Sequence, residues 1–277
     1  MGKAPAFIVD YKAAVRYLRH NRKNLPAGDT EKIISNGTSA GGALSALLGA
    51  TGNAEEYEPY LREIGAADER DDIFASNDYC PITNLEHADM AYEWIFNGVN
   101  SYYMAMWQPV QDALSRGLDV SGAAWIKMEN GKVVDADLDA YPAAVTRMKA
   151  APAFDKLDLS SAENDEFGSD ANVPKHFGAI SKTYESKKGE MADEKIIKLM
   201  NPMNFIGTGK ATMAKHYRIR HGAADRDTSL AIPAILALKL QNSGVDVDFF
   251  SPWNRGHSGD YDLPELFEWM DSICKAE

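Results

Sequence analysis

The sequence predicts an α/β protein with a parallel sheet and a large, mainly helical lid insertion. Three observations carry that expectation. Strand-like and helix-like runs alternate at both ends of the 277-residue chain, the pattern produced when helices cross between parallel strands. The alternation stops between about Pro81 and Met200, where aromatic side chains crowd between short polar loops, and that stretch is too long to be a structureless loop. Finally, a glycine-flanked serine in "ISNGTSAGGALSALLG" sits where a β-like run gives way to a small-residue helix. The expected partition is a core of residues 1–80 and 201–277 around a lid of residues 81–200.

The elements follow in order. Residues 8–20 place Val9, Ala13, Tyr17 and His20 on one helical face, beside Ala14 and Leu18. Pro26 and Gly28 mark a turn, and a short strand is expected around Lys32 to Ser35. "SAGGALSALLGA" reads as a helix ending near Gly49 and Gly52. A second strand fits Asp72 to Asn77, closed by Pro81. The insert gathers Tyr92, Trp94, Phe96, Tyr102, Tyr103 and Trp107, then breaks at loops such as "SSAENDEFGSDANVP". Beyond it, "KHYRIRHG" reads as a strand, "TSLAIPAILALKLQNSG" as a helix ending at Gly244, and "VDVDFFSPW" as a strand. "DLPELFEWMDSICK" is the last helix, with Pro264 in its first turn.

Composition narrows the classes of function. The chain is 45% hydrophobic and 25% charged, as suits a globular fold. Its net charge is −12, from 29 basic and 41 acidic residues, and with no basic stripe a nucleic-acid partner is not expected. No apolar run approaches the length of about 18 residues that would suggest a membrane span. The start, "MGKAPAFIVDYK", has no hydrophobic signal core. Cys80 and Cys274 have neither metal nor disulfide-framework spacing, so free thiols are expected. No metal and no cofactor are expected. "NGTSAGGA" does not supply the glycine spacing of a dinucleotide turn, and no phosphate-binding lysine follows it.

The serine stretch has a chemical reading. A nucleophilic serine must stand clear of the backbone, and the tight strand-to-helix turn that achieves this demands small neighbours. Gly37-Thr38-Ser39-Ala40-Gly41 matches that turn, G-x-S-x-G, with a strand before it and a helix after it. The helix points its first amides toward the same place, which suits a developing oxyanion. In the α/β-hydrolase order the acid follows a late strand and the histidine follows the next. Asp225 follows the strand at Tyr217 to Arg220, and His257 follows the last strand in a Gly-flanked polar loop. One helix and one strand separate them, as that order requires. Of the other histidines, His20 lies on an early helix, His87 and His176 in the insert, His216 at a strand, and His221 at the start of the acid's loop. Asp225 would fix the tautomer of His257, and His257 would deprotonate Ser39. On spacing alone, Asp227 reads as the N-cap of the following helix.

At "NGTSAGGALSALLGATGN", "DYCPITNLEHADMAYEW" and "RIRHGAADRDTSLAIPAILALKLQNSGVDVDF…GHSGDYDL", the chain resembles the bacterial tannases (tannin acyl hydrolases), from about Phe7 onward. The resemblance implies an α/β-hydrolase-fold serine esterase with a helical lid that cleaves galloyl esters, small phenolic molecules, through an acyl-enzyme and without a cofactor. It implies Ser39, Asp225 and His257 as the triad, the same residues that chain order selects. It further implies that Lys149, Glu163 and Asp227 grip the galloyl hydroxyls, in place of the capping role for Asp227. Without the resemblance, Lys149 and Glu163 read as solvated surface charges. The chain departs from the family pattern in one respect: only 38 residues precede Ser39, and no "HGGG"-like stretch occurs. The expectation is therefore a chain lacking the family's N-terminal strands, with the elbow strand at a sheet edge. Its one oxyanion donor would be the Ala40 amide, and it would tend to associate and be weakly active. A feruloyl or general aryl esterase, and a non-catalytic remnant, stand as alternatives.

Overall fold

The computed structural model of the chain describes residues 3–96, 125–130, 132–137, 140–169 and 171–276. Tyr102, Tyr103 and Trp107 of the aromatic run lie outside them. The central sheet has four parallel strands: β1 (Ile34–Thr38), β2 (Ala75–Tyr79), β5 (His216–Arg220) and β6 (Asp246–Phe250), side by side in that order. Among the described residues β1 is therefore an edge strand, with all its sheet neighbours on one side. β1 and β2 begin two or three residues later than the sequence suggests. The shift at β2 has a physical reason. The apolar pair Ile73 and Phe74 precedes the strand, while the ladder itself runs through "ASNDY", all five residues buried. Ser76, Asn77 and Tyr79 take hydrogen-bond partners distant in sequence, so no hydrophobic pattern announces it.

The two sheet faces differ in how they are filled. On one face, Ser76, Asp78, Tyr217 and Ile219 pack beneath α2 (Ala40–Ala50), α1 (Ala6–His20), α3 (Glu58–Glu63) and α9 (Ala231–Asn242), with Ile8, Leu47, Tyr57, Leu236 and Leu240 filling the core. A hydroxyl chain crosses this face: Ser35 Oγ to Ser45 Oγ at 2.7 Å, Ser45 Oγ to Ser76 Oγ at 2.8 Å, and Ser76 Oγ to Asp78 Oδ1 at 2.7 Å. Burial pushes the Asp78 carboxyl up to about 7, against the pull of the serine hydroxyls. On the other face, Asn36, Asn77, Arg218 and Asp248 form one register row across all four strands. Arg218, 1% exposed, donates to Asn77 Oδ1 at 3.0 Å and to Asp262 Oδ2 at 2.5 Å. Asp262 also accepts from the Tyr79 hydroxyl at 2.5 Å, immediately before α10 (Leu263–Ala276), whose Leu266 and Ile273 cover this side.

Between β2 and β5 the described residues form α4 (Leu85–Phe96) and four helices of five or six residues: α5 (Tyr141–Val145), α6 (Ala162–Glu166), α7 (Ala179–Thr183) and α8 (Glu194–Leu199). It also contains an antiparallel ribbon, β3 (Ile126–Glu129) with β4 (Lys132–Ala136), which the expectation of a mainly helical segment does not include. Tyr92, Phe96, Trp125, Tyr141, Phe154, Phe167 and Phe177 build its core, which continues into Ala223, Leu230 and Ile232 of the sheet domain. Asp155, fully buried, ties this segment together. It accepts from Asn164 Nδ2 at 2.7 Å, His176 Nδ1 at 2.7 Å, Phe177 N at 3.0 Å and Gly178 N at 2.7 Å.

Candidate active site

Parallel strands send all their C-terminal ends to one side of a sheet, where ligands of open α/β folds bind. Here each end delivers a reactive side chain: Ser39 after β1, Cys80 after β2, His221 and Asp225 after β5, and His257 after β6. The loops after β5 and β6 lie against each other. Ala224 N donates to Arg255 O at 2.8 Å and Ala223 N to Pro252 O at 2.9 Å. A Cβ at Gly222 would strike the Arg255 carbonyl, and one at Gly259 would strike the Thr38 hydroxyl, so the His257 loop passes directly over the residue before Ser39.

Ser39 has φ 59° and ψ −119°, a conformation that costs a non-glycine residue about 1–3 kcal/mol and clusters at functional sites. The surroundings impose it: Ser39 N donates to Tyr79 O at 2.9 Å, and Ser39 O accepts the helical Ala43 N at 2.9 Å. α2 starts at the next residue, and no side chain caps its first amides. The glycines have unequal reasons. A Cβ at Gly37 would overlap the Gly41 carbonyl, and one at Gly42 would stand 2.6 Å from Tyr79 O, whereas Gly41 faces open space. The steric demand thus falls on Gly37 and Gly42. Gly37→Ala is expected to cost about 3 kcal/mol in urea denaturation and Gly41→Ala less than about 1 kcal/mol; equal losses would refute the distinction.

Asp225 is 1% exposed. Its Oδ2 accepts from His257 Nδ1 at 2.8 Å, and its Oδ1 accepts from the backbone of Asp227 at 2.9 Å and of Thr228 at 3.2 Å. Burial alone would raise its pKa, but the neighbouring imidazoles and the Thr228 N–H outweigh it and hold the carboxylate below the usual range. Burial lowers the pKa of His221, whose Nδ1 stands 3.7 Å from Asp225 Oδ2. That ring is neutral at pH 7, and the imidazole hydrogen-bonded to Asp225 is that of His257. For His257, burial opposes the imidazolium, and the bonds to Asp225 and Cys80 overcome it, carrying the pKa up to about 10. His257 Nε2 lies 3.9 Å from Cys80 Sγ and 3.8 Å from Asp227 Oδ1. Among the described residues no hydrogen bond joins Ser39 Oγ to His257, so of the expected relay the Asp225–His257 link is formed and the serine link is not. Catalytic hydrogen bonds without substrate are often long and tighten on binding.

Lys149, Glu163 and Asp227 converge from three segments. Lys149 Nζ donates to Asp227 Oδ1 at 3.0 Å and sits 4.4 Å from the Phe154 ring centroid. Glu163 feels both charges. Burial raises its pKa, Asp227 adds to the rise, and Lys149 opposes it. Glu163 stands in α6, whose start is fixed by a Ser161–Asn164 capping box bonded onward to Asp155. Buried Tyr92 sets the other two: its hydroxyl accepts from Lys149 N at 3.0 Å and donates to Arg226 O at 2.6 Å. Asp227 does not cap the following helix, which begins at Ala231 with Leu230 as its N-cap. The turn's N–H groups go to Asp225 instead. A cavity of about 370 Å³ opens beside Ala40 and Gly41, with Leu44, Ile82 and Met200 as apolar walls and Glu163 and Glu166 on its polar side. Burial and the Glu163 charge raise the Glu166 carboxyl to about 7.

Sequence reasoning missed Cys80, Tyr92, His221 and Glu166. Tyr92 is one ring among many in the aromatic run, and no spacing in the chain connects Cys80 to His257, 177 positions away.

Comparison with known proteins places this geometry. The BD-FAE family model matches residues 1–133. No curated protein sequence matches the chain. Among solved structures, tannin acyl hydrolase from Lactobacillus plantarum superposes with a TM-score of 0.94 at 43% identity, covering 99% of this chain and 72% of that one. A tannin acyl hydrolase in complex with ethyl gallate gives 0.93 at 44% identity over 99% and 72%. Fusobacterium nucleatum tannase gives 0.89 at 45% identity over 99% and 74%. With this identity sustained across almost its whole length, and with a parallel sheet presenting Ser39, Asp225 and His257 at the C-terminal ends of its strands, the chain belongs to the tannases (tannin acyl hydrolases), a family of carboxylic ester hydrolases.

Proposed function

We propose that the chain hydrolyses galloyl esters of small phenolic substrates through a Ser39–His257–Asp225 triad and an acyl-enzyme. The observation that carries this reading is the meeting of two clusters at His257: the Asp225–His257 pair beside strained Ser39, and the Lys149–Asp227 pair with Glu163 next to it. His257 Nε2 takes the Ser39 proton as Oγ bonds to the ester carbonyl carbon, and the Ala40 N–H donates to the resulting oxyanion. Collapse breaks the bond to the alcohol oxygen, which receives that proton from His257. Water, deprotonated by the same ring, then releases the acid and restores Ser39. Asp225 holds the ring so that Nε2 faces the reacting atoms.

Adjacent phenolic hydroxyls fit the second cluster: they donate to the Asp227 and Glu163 carboxylates, and Lys149 donates to a phenolic oxygen. A related tannin acyl hydrolase binds ethyl gallate, the chemistry this cluster suits. A feruloyl group, with one hydroxyl and a methoxy, leaves part of it unpaired. Alanine at Lys149, Glu163 or Asp227 is expected to cost about 1–3 kcal/mol in kcat/KM on methyl gallate and far less on methyl benzoate. Equal losses on both esters would overturn the grip.

The raised Glu163 pKa adds a pH signature. Because protonation removes the negative charge that strengthens the bond from the phenolic hydroxyl, KM for methyl gallate is expected to climb on acidification at a pH above the ordinary glutamate range. Glu163→Gln should remove that inflection; its persistence would assign it to another group.

A further inference from the structure

One polar contact at His257 has no part in the hydrolysis described above. Nε2, the nitrogen that must face Ser39, lies 3.9 Å from Cys80 Sγ, within the reach of a sulfur hydrogen bond. Among the described residues Ser39 Oγ makes no such bond to the ring. The Cys80 thiol also donates to Ser258 O at 3.6 Å, so it touches the His257 loop at two successive residues. Its own place is fixed. Cys80 is 1% exposed, its N–H donates to Arg220 O at 2.6 Å, and its φ of 38° lies in the left-handed region that disfavours a side chain. Ser39 and Cys80 follow directly on the register pair Thr38 and Tyr79, at the ends of adjacent strands. Such strands lie about 4.8 Å apart, so the swing from one side chain to the other is short.

We propose that Cys80 is a positioning residue for His257: its sulfur holds the ring in a resting pose withdrawn from Ser39, and the contact is exchanged for the Ser39 hydroxyl when an ester enters. The anchored end of the ring allows the turn. Asp225 holds Nδ1 at 2.8 Å and is itself fixed by the Asp227 and Thr228 amides, so Nε2 is the end that moves. A thiol has one proton. With that proton on Ser258 O, the sulfur turns a lone pair toward Nε2 and accepts from it, which favours the protonated ring. A protonated Nε2 has no electron pair for the Ser39 proton, so the contact keeps the base in its inactive form. The other charged or titratable groups at the ring are Asp225 on Nδ1, Asp227 with Oδ1 3.8 Å from Nε2, and neutral His221 beside Asp225. Lys149 offsets the Asp227 charge from 3.0 Å, and Asp225 bonds the ring in both poses. Cys80 is therefore the partner specific to the resting one, and it is among the groups that lift the ring's pKa against burial to about 10.

The effect on rate rests on the reading of His257 as the base for Ser39, whereas nitrogen NMR of the ring reads the contact apart from hydrolysis. Methyl benzoate serves as the ester, since it does not draw on Glu163. Cys80→Ala removes an acceptor from the imidazolium, so the ring's pKa should fall. The acid limb of kcat/KM, which reports the free enzyme, is expected to move about half a pH unit lower, raising kcat/KM roughly threefold on that limb. The limb of kcat, which reports the ester-bound enzyme, should coincide in the two chains. An unchanged ring pKa, or rates that fall equally at every pH, overturns the proposal, and a displaced kcat limb overturns the exchange. A lowered ring pKa with an unmoved kcat/KM limb leaves the contact standing and refutes the base assignment. If Cys80→Ala does not fold, Cys80→Ser decides. Its oxygen, on a shorter bond than sulfur, falls out of hydrogen-bond reach of Nε2, and the same shifts are expected.

Discussion

Ser39→Ala is expected to lower kcat on methyl gallate by about five to six orders of magnitude, with the melting transition unchanged. The size follows from the proposed division of labour: without Oγ no covalent intermediate would form, and His257 and Asp225 would lose their substrate for proton transfer. Residual turnover should come from the Ala40 amide and substrate positioning alone. Stability should be untouched because alanine carries a Cβ like serine, so the strain at φ 59° remains. Rapid inactivation of the parent chain by a fluorophosphonate, with the label recovered on Ser39, completes the test. Label on any other serine would move the nucleophile elsewhere.

The second large effect is on folding. Asp262→Ala is expected to cost about 3–5 kcal/mol, because it leaves the Arg218 guanidinium buried without its closest countercharge. Arg218 is 1% exposed, and its bond to Asp262 is the shortest it makes. Asn77 and Tyr79 are neutral, and Asp248 is 4.0 Å away. The double variant Arg218→Met with Asp262→Leu should recover most of the loss, since apolar replacements remove both desolvation costs together. Urea denaturation measures both. A loss under about 1 kcal/mol for the single variant would mean that Asp248 relaxes to take over the charge. The change should also reach the chemistry, because Asp262 closes the loop that carries His257.

What the sequence discloses and what it conceals have different physical origins. The serine turn is legible because its strain is local: φ is forced positive within five residues, and the crowding on Gly37 comes from Gly41 itself. The order of Asp225 and His257 is legible because each follows a strand whose helix and turn signals are also local. β2 is poorly legible because "ASNDY" becomes a buried strand only through Arg218 and Ser45, which arrive from 141 and 31 residues away. Asp227 is misread for a related reason. The turn that a cap would stabilise is held by Asp225, and Asp227 is turned toward Lys149, 78 positions earlier. Lys149 and Glu163 carry no pattern of their own. Only the family resemblance singles them out, and their convergence depends on Tyr92 and Asp155 deep in the intervening segment.

Lys149 and Glu163 reach the site from the segment between β2 and β5, while Ser39, Asp225 and His257 all stand at strand ends. On the proposed reading, bond-breaking and acyl recognition are thus encoded in different stretches of the gene, meeting at Asp227. Mutation can remodel the inserted stretch freely, lengthening it or exchanging its charges, while the hydrolytic apparatus passes intact to descendants. Such a layout lets a lineage acquire new aromatic acids as food without inventing a new way to cut an ester. It also tells an engineer where to diversify: a library confined to residues 141–166, around α5 and α6, samples acyl preference while sparing every strand of the sheet.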